Sequence, residues 1–290
     1  MRPVLALLLL PFGLPAADLV IDHVTAAGVD LKQMQARLLA VGIPSEYGGP
    51  HTNHATEMAV ASFPDGSYLE LIAVQPSADA KALAAHYWST RIQGNSGPAA
   101  WAVRGDKLAE EAARLTASGV TVSAPARTGR TRPDGVRLDW ETVTAGPEPN
   151  GTFFPFIIHD FTPRANRAFP SGSPVTKDYS GIKRVIIAVR DLPAAILRYR
   201  KAYGLAAPIE REDAQLSARL AWFPGTPVVL ATPLAAALDS QSWLTPRLAQ
   251  FGEGPCAFVL GTSAAPTTAA PPQIRWFDSQ KLGWRLGVEP

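Results

Sequence analysis

The chain has 290 residues and a formal net charge of +2, with hydrophobic residues making up 47% and charged residues 18%. This composition is typical of a globular protein, and it excludes both a disordered chain and one embedded entirely in a membrane. The small net charge argues against nucleic acid or an anionic membrane as the main partner. A chain of this length forms one large domain or two of ordinary size, and we expect its partner to be a small molecule.

Residues 1–17 have the features of a secretory signal peptide. Arg2 precedes the apolar run Val4–Leu10, and the small residues Ala16 and Ala17 provide a cleavage site before Asp18. The apolar run is too short to span a bilayer. Prolines on both sides of it argue against the alternative, a buried amphipathic helix. We therefore expect an exported protein, periplasmic or secreted, with no stable membrane insertion after cleavage.

The first unit predicted after this leader combines one helix with four strands. Leu31, Met34 and Leu38 follow the spacing of an amphipathic helix, and Gly42 is well placed to end it. The predicted elements are a strand at Leu19–Ala26, the helix at Leu31–Val41, a strand near Ser45–Gly48, and strands at Thr56–Phe63 and Tyr68–Val74.

The second unit repeats this plan after a connecting helix around Lys81–Arg91. Asp106 is a suitable cap for its helix, which places Leu108, Ala112 and Leu115 on the inner face. The predicted elements are a strand at Ala99–Val103, a helix from Asp106 to Ser118, and strands at Val120–Ala124, Val136–Thr144 and Thr152–Asp160.

The chain repeats its own motifs at an interval of about 160 residues. The repeated segments are Ile21–Ala27 and Ile182–Ala188, Phe63–Gly66 and Phe223–Gly225, and Gly97–Trp101 and Gly254–Phe258. Three shared motifs in the same order predict two related halves, each built from two units.

The second half follows the plan less completely. Its third unit runs from Lys183 to Thr232, whereas the fourth lacks a predicted helix and surrounds a loop rich in Pro, Ala and Thr. The fourth unit has predicted strands at Cys256–Gly261, Ile274–Phe277 and Trp284–Gly287. The turn-rich segment Pro170–Pro174 separates the halves. We predict a first domain at residues 18–165, a linker at 166–179 and a second domain at 180–290.

The motifs Ile21-Asp22-His23-Val24 and Asp65–Ile72 resemble those of glyoxalase-like domains in the vicinal oxygen chelate superfamily. The resemblance covers most of residues 19–162 and, more loosely, residues 180–261. It implies an α+β fold in which tandem βαβββ modules pair into two incomplete barrels, the second of them degenerate. It also implies a divalent-metal-dependent enzyme of lyase, isomerase or dioxygenase type, using Zn, Mn, Ni, Fe or Mg. The substrate would be a small oxygen-rich or anionic molecule in the cleft of the first domain.

Because the superfamily also contains metal-free proteins that bind or sequester small molecules, the resemblance leaves that alternative open. A chain with four modules completes its own barrels, so the resemblance is compatible with either a monomer or a homodimer.

The superfamily places its metal ligands on the first and last strands of each module. Carried over by position, the implied ligands are His23, Glu70 and His159, and Glu70 is also the candidate catalytic carboxylate. The fourth position falls at Ala100, whose side chain has no donor atom. Each implied ligand has a structural alternative, since His23 could pack on the barrel wall and Glu70 could face solvent. In the second half Arg184 replaces His23, which predicts that this half holds no metal.

The basic segment Arg127–Arg137 contains two candidates for substrate binding, Arg130 and Arg132. Their planar guanidinium groups suit a carboxylate or a phosphate. The alternative is a solvated hairpin around Pro133-Asp134-Gly135.

Four more residues are candidates for contact with the substrate. His54 and Glu57 lie in or beside a loop, where they are either substrate-facing or solvated. Trp101 and Trp140 would form walls of the cleft, although aromatic residues in strands more often belong to the core.

Overall fold

The computed structural model describes residues 17–234, 242–262 and 273–290. The predicted signal peptide, except for Ala17, and the Pro/Ala/Thr-rich loop therefore lie outside the described residues. The described chain forms two curled mixed β-sheets, each a half-barrel, with helices between the strands. The predicted α+β fold of the vicinal oxygen chelate type is thereby confirmed. No helix in the described part of the chain is long and apolar enough to cross a membrane.

The first sheet has eight strands, in the order β2-β3-β4-β1-β5-β8-β7-β6. The strands β1 and β5 meet antiparallel at its centre, whereas β1 pairs parallel with β4, and β5 pairs parallel with β8. Each module therefore contributes four neighbouring strands. The strands are β1 (Ile21–Ala27), β2 (Glu46–Pro50), β3 (Thr56–Ser62), β4 (Tyr68–Val74), β5 (Gly97–Arg104), β6 (Ala126–Thr131), β7 (Arg137–Val143) and β8 (Phe156–Asp160).

The second sheet has seven strands, in the order β10-β11-β12-β9-β13-β15-β14. Its central pair, β9 and β13, corresponds to β1 and β5 of the first sheet and is also antiparallel. The strands are β9 (Gly181–Ala188), β10 (Ile209–Asp213), β11 (Ala218–Trp222), β12 (Val228–Pro233), β13 (Gly254–Gly261), β14 (Arg275–Trp276) and β15 (Arg285–Glu289).

The repeated Asp-Leu pairs begin equivalent helices in the two halves. The Asp30 carboxylate accepts a hydrogen bond from Gln33 N (3.0 Å), and the Asp191 carboxylate accepts one from Ala194 N (2.9 Å). The helices are α1 (Leu31–Leu39), α2 (Ala80–Ala85), α3 (Ser89–Gln93), α4 (Leu108–Ala117), α5 (Arg164–Ala168), α6 (Leu192–Tyr203), α7 (Leu244–Phe251) and α8 (Ser279–Leu282).

Both faces of the central strands are buried, but against different neighbours. In β1, Val24 and Ala26 belong to a large apolar core that the two halves share, while His23 and Thr25 alternate onto the concave face of the first sheet. The matching face of the second sheet is packed with apolar side chains, including Leu244 and Leu248 of α7. The concave face of the first sheet differs in holding His23, Glu70 and other titratable groups beside a cavity.

Three local predictions were wrong. The fourth unit, expected to have no helix, contains the short helix α8 between β14 and β15, where the Asp278 carboxylate accepts from Gln280 N and Lys281 N. The strand expected at Val120–Ala124 is reduced to a single bridge between Val122 and Ala145, because Val120 and Val122 pack against the shared core as irregular chain. The strand β6 instead forms from the basic segment that follows. The connecting helix is divided into α2 and α3, since the chain is extended at His86.

Candidate functional site

The concave face of the first sheet holds a cavity of about 320 Å³, at the lower end of the range for small-molecule sites. Five aromatic side chains form much of its wall: Tyr68, Tyr87, Trp88, Trp140 and Phe156. Such a lining suits a planar or apolar part of a ligand.

The titratable groups of the cavity come from both modules. The first module supplies His23 from β1, Glu70 from β4 and His51 from the loop after β2. The segment between α2 and α3 supplies His86, and the second module supplies Arg130 from β6.

His23 and Asp22 form a buried pair at this site. The His23 Nδ1 atom lies 2.6 Å from Asp22 Oδ1, so the bonded tautomer donates from Nδ1 and leaves Nε2 as an acceptor. The imidazole is stacked on Tyr68, with ring centroids 4.8 Å apart, and meets Phe156 edge-on. The ring is therefore held in one orientation by a hydrogen bond and by two aromatic neighbours.

Asp22 is completely buried, and two arginines of α5 neutralise it. Arg167 donates to both carboxylate oxygens, at 2.8 and 2.9 Å, and Arg164 donates to Oδ2. Arg167 also donates to both oxygens of Asp160, at 2.7 and 2.6 Å. Burial raises the pKa of Asp22, but the charge of Arg167 and the hydrogen bonds from His23 and Arg167 outweigh it and hold that pKa well below its usual range. Asp22 is thus ionised at neutral pH.

Glu70 is also buried and ionised. Its Oε2 accepts a hydrogen bond from Thr25 Oγ1 (3.0 Å), and its Oε1 lies 3.6 Å from His51 Nε2. Burial raises the pKa of Glu70, but the interactions with His51, His23 and Thr25 outweigh burial and lower it to about 2. A carboxylate with so low a pKa is an effective hydrogen-bond acceptor and a weak base.

The two loop histidines have different surroundings. His51 Nδ1 lies 2.8 Å from Thr56 Oγ1, and His51 Nε2 lies 3.3 Å from Met58 Sδ. His86 accepts at Nδ1 from Trp88 N (3.1 Å). Burial and, to a lesser extent, the charge of His51 lower the pKa of His86 to about 4. At neutral pH His86 is therefore a neutral imidazole on the cavity wall.

The strand register tests whether the residues fit the metal centre that the superfamily implies. Thr25 of β1 pairs with Glu70 of β4, and at the equivalent place Ala102 of β5 pairs with Phe156 of β8. Phe156 therefore stands where a second carboxylate would be expected, and Ala100 stands where a second histidine would be. Only one of the two modules carries donor atoms at these positions.

His159 does not supply the missing ligand. It lies one residue further along β8 than Ile158, which lines the cavity, so its side chain projects from the opposite face. There His159 Nδ1 lies 3.1 Å from Gly105 O, and the ring meets Phe161 edge-on. Throughout the described ranges, no three His, Cys, Asp or Glu side chains form a group that could hold a metal ion. The residues present do not fit the implied metal.

Two of the predicted substrate-binding residues line the cavity. Trp140 lies in its wall. Arg130 is only 5% exposed, donates from Nη1 to Gly48 O (2.7 Å), and also borders an outer groove of about 380 Å³. The structure thus brings both side chains to the same space as His23 and Glu70.

The other four predicted substrate-binding residues lie elsewhere. Arg132 lines the outer groove and donates to Asn166 O (2.7 Å), Pro170 O and Asp134. Trp101 is fully buried in the shared core, because residues of β5 alternate between the core and the cavity.

His54 and Glu57 are also outside the cavity lining. His54 is exposed, with a φ of 58°, and its carbonyl accepts from Asp79 N (2.8 Å). Glu57 accepts a hydrogen bond from Tyr47 OH (2.9 Å) at the edge of the sheet.

Several residues of the site carried a weaker signal in the sequence. His51 and His86 lie outside strands, so no periodicity marked them as cavity residues. Asp22 did carry a signal, because a carboxylate inside an apolar strand needs a cation, but α5 supplies that cation from far along the chain.

The second half has an ion pair where the first has His23. Arg184 Nε donates to the buried Glu289 Oε1 (2.9 Å), and Val229 stands in the register position of Glu70. Val229 packs in the apolar cluster on that face. The described second half therefore lacks the imidazole and the carboxylate that the first half has at these two positions.

Comparison with solved structures supports the fold. A hypothetical protein from Staphylococcus aureus aligns with a TM-score of 0.64 and 14% identity, over 94% of this chain and 99% of that one. A variant of 4-hydroxymandelate synthase from Streptomyces coelicolor aligns with a TM-score of 0.55 and 14% identity, over 87% of this chain and 72% of that one. At these identities the likeness concerns the fold alone.

Comparison with sequences identifies the family. The sequence matches none of the curated proteins with which it was compared. The model of the glyoxalase-like domain family, however, matches residues 21–203, which is more than half of the chain and includes the whole first sheet and its cavity. The chain therefore belongs to the glyoxalase-like domain family, within the vicinal oxygen chelate superfamily.

Proposed function

We propose that the chain is an acid–base catalyst that uses the cavity of the first sheet without a bound metal. Its substrate is a small carbonyl compound with a planar or aromatic part. The observation that carries this proposal is the 2.6 Å contact between His23 and the ionised, fully buried Asp22 beside the cavity. A histidine held by a buried carboxylate is suited to accept a proton from a bound molecule.

His23 is a better candidate for the base than Glu70. A general base works best when its pKa lies near the working pH, whereas the pKa of Glu70 is about 2. The Nδ1 atom of His23 is bonded to Asp22, which leaves Nε2 as the atom that can accept a proton. We assign proton abstraction to His23 Nε2, and we assign to Glu70 the role of holding His51 at the cavity wall.

The proposed step moves one proton. The C–H bond next to the substrate carbonyl breaks, its electron pair forms the double bond of an enolate, and the proton moves to His23 Nε2. The Tyr68 hydroxyl accepts from Arg167 (2.5 Å) and keeps its own proton, since burial raises the pKa of Tyr68 above its usual value. That proton is available to the enolate oxygen. If a solvent proton replaces the abstracted one on His23 before reprotonation of the same carbon, the result is an exchange, and delivery of the proton to a different position of the enolate gives an isomerisation.

A second candidate function is binding without turnover. Ala100 and Phe156 favour it, because they remove half of the donor positions that metal-dependent relatives of this fold would use. In that case the cavity would sequester its ligand, and the Asp22–His23 pair would only anchor it.

The test is deuterium exchange into benzylacetone, a neutral aryl ketone, followed by proton NMR after the protein has been treated with chelator. We expect the wild-type chain to accelerate exchange next to the carbonyl, and His23→Gln to abolish the acceleration. The matched control is His159→Gln, which changes a histidine on the opposite face of the same sheet and should behave as wild type. Exchange that is equal in the wild type and His23→Gln would leave only the binding function.

A further inference from the structure

Arg130 differs from the other deeply buried arginines of the described chain in its partners. Arg167 contacts two carboxylates, those of Asp22 and Asp160. Arg91 donates to two carbonyl oxygens, and the half-buried Arg247 donates to three. Arg130 has one carbonyl partner, Gly48 O, and its Nη2 lies 3.9 Å from the sulfur of Met58.

No carboxylate in residues 17–234, 242–262 and 273–290 forms an ion pair with Arg130. The negative charge of Glu70 stabilises the charged form of Arg130 from a greater distance. The carboxylate oxygens of Glu70, however, already contact Thr25 and His51. A guanidinium has five N–H donors, and burying it with so few partners is costly. The cavity next to Arg130 therefore lacks an anionic group that would accept hydrogen bonds from its guanidinium.

We propose that Arg130 binds the carboxylate of the ligand, and that the cavity takes small aryl carboxylates. The aromatic wall would hold the ring, and the guanidinium would bind the carboxylate through two parallel hydrogen bonds. This inference rests on the proposed use of the cavity and names its substrate class.

The size and charge of the cavity favour a monocarboxylate. About 320 Å³ accommodates one aromatic ring and a short side chain. Arg167, the other arginine of the lining, already contacts two aspartates, whereas Arg130 forms no ion pair with a described carboxylate. A ligand with a single negative charge balances Arg130, whereas a more highly charged ligand would lie beside Glu70 without a counter-ion.

The binding test compares hydrocinnamate with hydrocinnamamide, which has nearly the same shape and no charge. Titration calorimetry on the wild-type chain should show the carboxylate binding more tightly by at least about tenfold. Arg130→Met should remove this preference. Arg130→Lys, which keeps the charge but loses the planar fork, should retain only part of it. Arg132→Lys is the matched control on the same hairpin and should bind as wild type does.

Thermal unfolding of each variant shows whether a change in binding results from a loss of the folded structure. Arg130→Met should remain folded at the assay temperature without ligand, because it loses the hydrogen bond to Gly48 O but also removes a poorly paired buried cation. Wild-type protein that binds both probes equally, or Arg130→Met that keeps the preference, would overturn the proposal. Hydrocinnamate has no ketone, so failure of proton exchange in benzylacetone would leave this result unaffected, and failure here would leave the exchange unaffected.

Discussion

Phe156 occupies the place on β8 that Glu70 occupies on β4. Both residues pair with the first strand of their own module at the equivalent position, Glu70 with Thr25 and Phe156 with Ala102. Both also line the same cavity. The two modules thus share one backbone plan and differ in chemistry, because the acidic and imidazole groups that their first and last strands direct into the cavity come from the first module.

Restoring the missing donors should create a metal site. In the double variant Ala100→His/Phe156→Glu, the cavity would have two histidines and two carboxylates at equivalent positions of the two modules. We expect calorimetry to show stoichiometric binding of Zn²⁺ or Ni²⁺ by the double variant. The control is Ala100→His/Phe156→Gln, which has the same bulk with one fewer charged ligand and should bind more weakly. If the double variant folds and takes up no metal, the equivalence of the two modules is wrong.

The ionised state of Glu70 should make stability depend on pH in the acid range. Its pKa is about 2 in the folded chain, against an ordinary value of 4.5. As the pH falls from 4.5 towards 2, the unfolded chain takes up a proton that the folded chain does not, so the free energy of unfolding decreases. The full difference is about 3 kcal/mol. Urea unfolding at pH 6 and pH 3 should show a smaller loss for Glu70→Gln than for the wild type. Equal losses would contradict the assigned pKa.

The buried Asp22–Arg167 contact should be important for folding as well as for the site. Arg167→Met leaves Asp22 and Asp160 with less compensating charge, and breaking a buried pair in this way costs about 3–5 kcal/mol. Arg219→Met is the control, because Arg219 is 54% exposed and lies 3.5 Å from Glu212. Its effect on the free energy of unfolding should be below about 0.5 kcal/mol. A similar effect of both substitutions in urea unfolding would show that the buried network contributes little.

The two halves are connected by a reciprocal pair of arginines. Arg91, before β5, donates to Phe251 O (2.8 Å) and Glu253 O (3.0 Å) of the second half. Arg247, before β13, donates to Ser96 O (2.6 Å) and Pro98 O of the first half. Each arginine therefore satisfies carbonyl groups at the start of the other half's central strand.

Replacing either arginine should destabilise both halves together. Arg91→Met and Arg247→Met should each lower the free energy of unfolding by about 2–3 kcal/mol, because buried carbonyl groups lose their donors. Since the two sites share one interface, the double variant should lose less than the sum of the single losses. A double-mutant cycle by urea unfolding checks this. Strictly additive losses would indicate that the two contacts act independently.

The sequence was sufficient for the fold because the repeat and the strand alternation are local signals. The Ile21-Asp22-His23-Val24 motif and its counterpart near Arg184 predicted the central strands and the equivalent helices, and these are present. The fold class followed from the order of these elements.

The residues of the site were harder to predict. They depend on which face of a strand each side chain occupies and on contacts between residues that are far apart in the sequence. A shift of one residue moves a strand side chain to the other face, which separates His159 from the cavity and places Trp101 in the core. His51 and His86 reach the cavity through loop conformations that no periodicity encodes. Arg167 lies in a short helix after the last strand, and only the folded chain brings it to Asp22.

The central claim is that proton transfer in this cavity depends on His23 and not on a metal ion. The most direct measurement is the rate of deuterium exchange into benzylacetone before chelation, after chelation and after addition of Zn²⁺, Mn²⁺ or Fe²⁺. We predict one rate for the wild type under all of these conditions, and the uncatalysed rate for His23→Gln. Exchange that is lost on chelation and restored by a metal would contradict the claim.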